Sequence, residues 1–120
     1  MDPLDPDAAY LRDMLTAAQD AQRFVASVTW EQYQQDRLRQ LAVERSIEII
    51  GEAARKVSEA FQAAHPEIPW GRIIAQRHVL DHEYGNIDHE KIWEVATVRL
   101  PELIAQLAPL IPPPPRSPEE

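Results

Sequence analysis

The chain has no cysteine, only three glycines in 120 residues, and no apolar run that approaches 18 residues. Without thiols there is neither a disulfide nor a thiolate metal site, a composition that fits the reducing cytosol. The lack of a long apolar run argues against a membrane span. The opening residues, Met1-Asp2-Pro3-Leu4-Asp5, are acidic and have no apolar core, which argues against a signal peptide and for a cytoplasmic protein. Basic charge is also scarce: 12 Lys and Arg stand against 20 Asp and Glu, for a net charge of −8. That balance disfavours a general nucleic-acid-binding surface, which is normally basic. Any nucleic-acid site must be small and local, or uncovered only in some states.

What is present is the composition of a soluble globular domain, with 44% hydrophobic and 27% charged residues. The length allows one core built from a few helices. Val and Ile recur at helical spacing and never alternate, so no strand is expected. Asp7 is placed to cap a first helix over about 8–27 whose inward stripe is Leu11, Met14, Leu15, Ala18, Ala21, Val25 and Val28. Thr29 begins a break, and Trp30-Glu31-Gln32-Tyr33 forms one short turn with two aromatics against the bundle.

Asp36 caps the longest expected helix, over about 37–64, with two apolar rows. Leu38, Leu41, Ala42, Ile49, Ala53 and Ala60 make one; Val43, Ile50, Ala54, Val57 and Phe61 make the other. Its opposite face carries Glu44, Glu48, Glu52, Arg55 and Glu59, which reads as solvated. Gly51 sits in mid-helix at a cost of roughly 1 kcal/mol relative to alanine. It allows either close approach of another helix or room beside Glu52, and Glu52 itself can pair with Lys56 at i,i+4.

Pro69 opens a third helix, Asp88 caps a last one, and Pro101 divides or kinks that last helix near Val98–Leu100. The expected architecture is an all-α, up-and-down four-helix bundle over residues 7–108. A loose lead (1–6) precedes it, and a proline-rich polyproline tail (109–120) follows it.

The most informative stretch is Arg77-His78-Val79-Leu80-Asp81-His82-Glu83-Tyr84. Advancing 100° per residue from Trp70 places Ile73, Ile74, Arg77, Leu80, Asp81 and Tyr84 on one stripe, apolar in its first half and polar in its second. Polar groups replacing apolar ones along a core stripe need partners or a use. The plain reading is an Arg77–Asp81 helix pair beside two surface histidines. A metal site is a second reading: His78 and His82 at i,i+4, with Asp81, Glu83 or His89 as a further ligand. The familiar metalloprotease order is absent, since Val79 stands where that order puts glutamate. A third reading is metal-free RNA cleavage. It needs a base for the ribose 2′-OH, an acid for the leaving oxygen and a cation for the charged intermediate, and histidine and arginine are the matching residue types. Arg77 and His82 diverge by about 140° on a regular helix, so two copies of the helix across a dimer would serve better than one. A fourth is a pure interaction module that performs no chemistry.

At this point a family likeness enters. Arg77-x4-His82-x-Tyr84 resembles the R-x4-H-x-Y signature of HepT-like toxins, within the HEPN superfamily of helical ribonuclease domains. Ile49-Ile50-Gly51-Glu52-Ala53, His65-Pro66-Glu67-Ile68-Pro69-Trp70 and the Asp88–Leu100 segment, with Ile92-Trp93 inside it, are similar to the family in the same order. The likeness runs from about Asp7 to Leu107. It implies a HEPN-like bundle and a homodimer whose two copies of Arg77 and His82 share one composite cleft. It also implies metal-independent endoribonuclease activity on RNA, with no cofactor. In that resemblance His82 is the general acid/base, Arg77 the phosphate contact, His78 an assisting group, and Glu52 a second-helix contributor to the cleft. The family's partner is an MNT-type nucleotidyltransferase antitoxin, and Tyr84 is the tyrosine that receives AMP. Relatives often follow this tyrosine with an aromatic and a glycine, whereas Gly85-Asn86 follows it here. The alternative within the family is a non-catalytic HEPN dimer that supports the nucleotidyltransferase.

Overall fold

A computed structural model describes residues 1–82 and 87–113, with residues 77–82 described by backbone alone. Among the described residues seven α-helices follow in order: α1 (Pro6–Val25), α2 (Trp30–Gln34), α3 (Arg37–Lys56), α4 (Glu59–Ala64), α5 (Trp70–His82), α6 (His89–Glu94) and α7 (Leu100–Leu107). A π-helical turn, Val95–Arg99, joins α6 to α7, and a 3-10 turn, Ala108–Leu110, closes the fold. There is no strand among the described residues. The main layers are α1, α3, α5 and the α6–α7 rod, which is the four-helix bundle the pattern predicts. α3 packs between α1 and α5, while α7 closes on α1.

The core follows the expected stripes closely on α1, where Leu11, Met14, Ala18, Ala21 and Val25 are buried. Each fully buried large side chain of this kind contributes about 1.5–3 kcal/mol. Asp5, rather than Asp7, caps α1: its carboxylate accepts from the Asp7 N–H at 2.9 Å. Asp7 is thereby freed for a different task. Its two oxygens accept from the Ser58 N–H (2.9 Å) and Ser58 Oγ (2.6 Å). Ser58 Oγ in turn accepts from the Phe61 N–H. This is why the long expected helix over 37–64 is two: Val57 turns extended and Ser58 caps a new helix, α4.

α1 ends without a glycine. Ala26 is extended, and Ser27 adopts φ 61° in the left-handed region, a conformation that costs a non-glycine residue about 1–2 kcal/mol. Thr29 and Gln32 then form a reciprocal capping box that starts α2. Downstream, Pro101 has no N–H to give, and the chain answers with the π-turn just before it, where the Leu100 N–H reaches back to the Val95 carbonyl. The division expected at Pro101 is therefore a register change shared with the preceding turn.

Candidate functional site

The direction of α5 is fixed at both ends. Trp70, buried at its start, donates Nε1–H to the His65 carbonyl at 3.0 Å and sets its ring edge-on to Phe61. Both partners lie just beyond the C-terminal end of α3. At the other end, Ile87 and His89, which follow α5, line a cavity of about 300 Å³ together with Arg37 and Gln40 at the N-terminal end of α3. α5 thus runs antiparallel to α3, and its thirteen residues cover about 20 Å of it.

α3 mirrors the polarity change expected along α5. Gln40, Glu44, Ile47, Gly51 and Ala54 are all buried, and at 100° per residue they form one stripe about 80° wide. Its C-terminal half is apolar. Its N-terminal half, Gln40 and Glu44, lies at the level where the Arg77–His82 half of α5 passes. The polar half of the α3 stripe is thus the half alongside the α5 segment that carries the motif.

This polar half is only partly satisfied. Gln40 is well placed: its Nε2–H groups donate to the Tyr33 and Gln34 carbonyls (2.9 and 3.1 Å), and its amide oxygen accepts from Arg37 at 3.4 Å. Glu44 is 6% exposed. Its Oε2 faces Arg37 Nη1 at 3.6 Å, too long for a hydrogen bond, and it has no hydrogen-bond partner among the described residues. Burial raises the Glu44 pKa above its ordinary value, with Arg37 and His89 pulling the other way. Tyr33 is fully buried, and its hydroxyl also has no partner. Burial, then the Glu44 charge, drives its pKa upward, so the hydroxyl keeps its proton.

Glu44 is a correction to the sequence reading, which set it on a solvated face. Leu38 and Leu41 are corrections in the opposite sense: expected in an apolar row, they are 83% and 46% exposed. At the N-terminal end of α3 the inward positions belong to Gln40, Val43, Glu44 and Ile47. The available signal was the i, i+4, i+7, i+11 series Gln40-Glu44-Ile47-Gly51, which a helix wedged between two neighbours buries whatever its polarity.

Of the residues predicted for the site, Arg77, His78 and His82 lie on α5 as backbone, and their side chains fall outside the described residues, as does Tyr84. Of the further ligands weighed for a metal, Asp81 likewise lies on α5 as backbone alone, and Glu83 falls outside the described residues. Glu52 is described. It is half-buried on α3, in a groove shared with Tyr10 and Asp13 of α1, and it pairs with Arg55 at 2.8 Å and Lys56 at 3.6 Å. Eight residues from Glu44, it sits about 80° round the helix from it.

The fold defines a small all-α domain in which α3 buries polar residues at the level of the C-terminal half of α5. Comparison with known proteins gives the particular family. Residues 14–110 match the family described as Ribonuclease HepT-like, and the chain belongs to it. A Thermococcus cleftensis protein named "Probable ribonuclease HepT" is 34% identical over 94 residues, covering 78% of this chain and 86% of that protein. Two Methanocaldococcus jannaschii proteins with provisional RNase names are similar at 33% identity (86% of this chain, 85% of the relative) and 30% identity (79% and 87%). No solved structure matches the chain.

Proposed function

We propose that this chain is a metal-independent endoribonuclease, the toxin of a two-component toxin–antitoxin pair, acting as a cytoplasmic homodimer. The observation that carries the reading is the match over residues 14–110, which contains all of α5 and, in order, Arg77, His82 and Tyr84. Relatives carrying RNase names support RNA as the substrate.

In the proposed cleft, Arg77 and His82 from two copies surround one phosphodiester. A neutral imidazole takes the proton of the ribose 2′-OH, whose oxygen attacks phosphorus. Arg77 contacts the non-bridging oxygens as negative charge builds on them. The bond to the 5′-oxygen breaks, and an imidazolium returns a proton to it. His78 assists as a second imidazole, and Glu52 contributes from α3. A histidine titrating near neutral pH performs both transfers without a metal-bound hydroxide.

A nucleotidyltransferase antitoxin controls this cleft by transferring AMP from ATP to Tyr84. The Tyr84 oxygen attacks the α-phosphate of ATP, pyrophosphate leaves, and the new phosphodiester lies on the motif of Arg77, competing for the RNA phosphate site. Expression of the chain alone tests the reading. Wild type arrests growth and degrades RNA; His82→Ala does neither. Equal harmlessness of both, with stable partner binding, points to a non-catalytic module instead. Co-expression with the nucleotidyltransferase adds AMP mass to wild type and none to Tyr84→Phe.

A further inference from the structure

Three buried polar atoms without hydrogen-bond partners gather among α2, the N-terminal half of α3 and the start of α6: Tyr33 Oη, Glu44 Oε2 and His89 Nδ1. Native interiors rarely leave one such atom unpaired. Glu44 is the only buried carboxylate among the described residues. It lies within electrostatic reach of both the Tyr33 hydroxyl and the His89 imidazole. A buried, half-paired charge adds little to stability, and replacing it with a neutral group is often neutral or favourable. Its presence at this level of α3 calls for a use.

The place of His89 in the chain supplies one. The first half of α5 is fixed by Trp70 and Ile73 in the core. Downstream of α5, Asp88 caps α6 by accepting from the Lys91 N–H, and His89 lines the cavity with Arg37, Gln40 and Ile87. Whatever holds His89 to α3 therefore holds the downstream end of the motif segment.

We propose that Glu44 is a positioning residue for the ribonuclease motif: its Oε2 receives the Nδ1–H of His89, directly or through one buried water, and fastens the chain leaving α5 to the body of α3. The proposal rests on the ribonuclease reading above. Arg37, on the solvent side at 3.6 Å, opposes the effect of burial and favours the ionised carboxylate as an acceptor. In this contact the imidazole carries a proton on Nδ1 and gives it to the carboxylate as a hydrogen bond. The contact orients the segment and takes no part in proton transfer to RNA.

The test uses the full-length protein. Nitrogen-15 NMR of the His89 ring reads its tautomer, and RNA cleavage reads kcat and KM. In wild type His89 holds its proton on Nδ1, and in Glu44→Gln that preference weakens. Glu44→Gln and His89→Ala lower kcat by about 10- to 100-fold, the scale expected when a reacting group is misplaced by about an ångström, while KM stays near wild type. His89→Asn, whose amide nitrogen can take the place of Nδ1, restores kcat. Should Glu44→Gln fail to fold, the His89→Ala and His89→Asn pair decides alone. A wild type with the proton on Nε2, or a Glu44→Gln enzyme with unchanged kcat, overturns the positioning role while leaving the ribonuclease reading intact. A wild type that cleaves no RNA removes that reading and the positioning role with it, while a tautomer that still responds to Glu44→Gln shows the contact as structural only.

Discussion

Replacing Tyr33 with phenylalanine removes one oxygen from the centre of the bundle and leaves every ring contact in place. Tyr33 is 0% exposed, and its ring lies 5.1 Å from Trp93 and 6.2 Å from Trp30. Its carbonyl accepts from Gln40, so the backbone stays fixed in the variant. An ordinary Tyr→Phe change in a core loses a hydrogen bond and costs about 1 kcal/mol. Here the hydroxyl has no partner, and the buried oxygen is a desolvated group that folding leaves unpaid for, a penalty of about 1–3 kcal/mol. A methylene-sized void offsets part of the gain. The net expectation is a protein more stable by about 1 kcal/mol, with a melting temperature higher by about 4 °C. Urea titration with both fluorescence and circular dichroism measures it, and equal m-values confirm that the unfolded states match. A loss of stability in Tyr33→Phe would refute the reasoning, because it means that the hydroxyl is bonded in solution to Glu44 or to an internal water.

Three other perturbations give separate expectations. Asp7→Ala removes both hydrogen bonds to Ser58 and lowers stability by about 1 kcal/mol, the low end for bonds to an ion because the site is exposed; an unchanged urea midpoint contradicts the account of the α3–α4 break. Glu44 has its folded pKa raised above the ordinary 4.5, so its protonated form favours the native state. Stability from this group is fully present below that ordinary value and is lost as pH rises through the folded one. Melting temperatures of wild type against Glu44→Gln, measured from acid to neutral pH, should converge at the acid end, with wild type falling behind as pH rises; parallel curves contradict it. Asp36 works in the reverse sense. The backbone N–H of Arg39, and then its side chain, lower the Asp36 pKa. The Asp36 contribution is therefore present above the ordinary carboxylate value and lost as pH falls through the folded one. Asp36→Asn removes that acid-limb loss, and an acid limb identical to wild type counts against the cap.

Much of the fold was legible because its helices are ruled by periodicity and end signals. Leu11, Met14, Ala18, Ala21 and Val25 on α1 are buried as the spacing predicts. Asp36 and Asp88 cap the helices they were expected to cap. What misled the reading was tertiary. The break after Lys56 depends on Asp7 reaching across 51 positions to Ser58, which no local pattern in 37–64 reveals. Glu44 was assigned to solvent because it is charged. A helix covered on two sides buries by angle, and Glu44 shares its angle with Ile47 and Gly51. The motif itself was read from residue types and from resemblance, since Arg77 and His82 diverge on a single helix and their convergence would require a second copy.

The central claim is that Arg77 and His82 handle a phosphodiester without a metal. The most direct measurement is cleavage of RNA by the purified protein in excess EDTA, beside Arg77→Ala and His82→Ala proteins whose melting temperatures match wild type. The account predicts cleavage by wild type in the chelator and a loss of at least about 100-fold in each variant, the scale of removing a general acid/base or a transition-state contact. Cleavage that the chelator abolishes, or that survives His82→Ala undiminished, contradicts it.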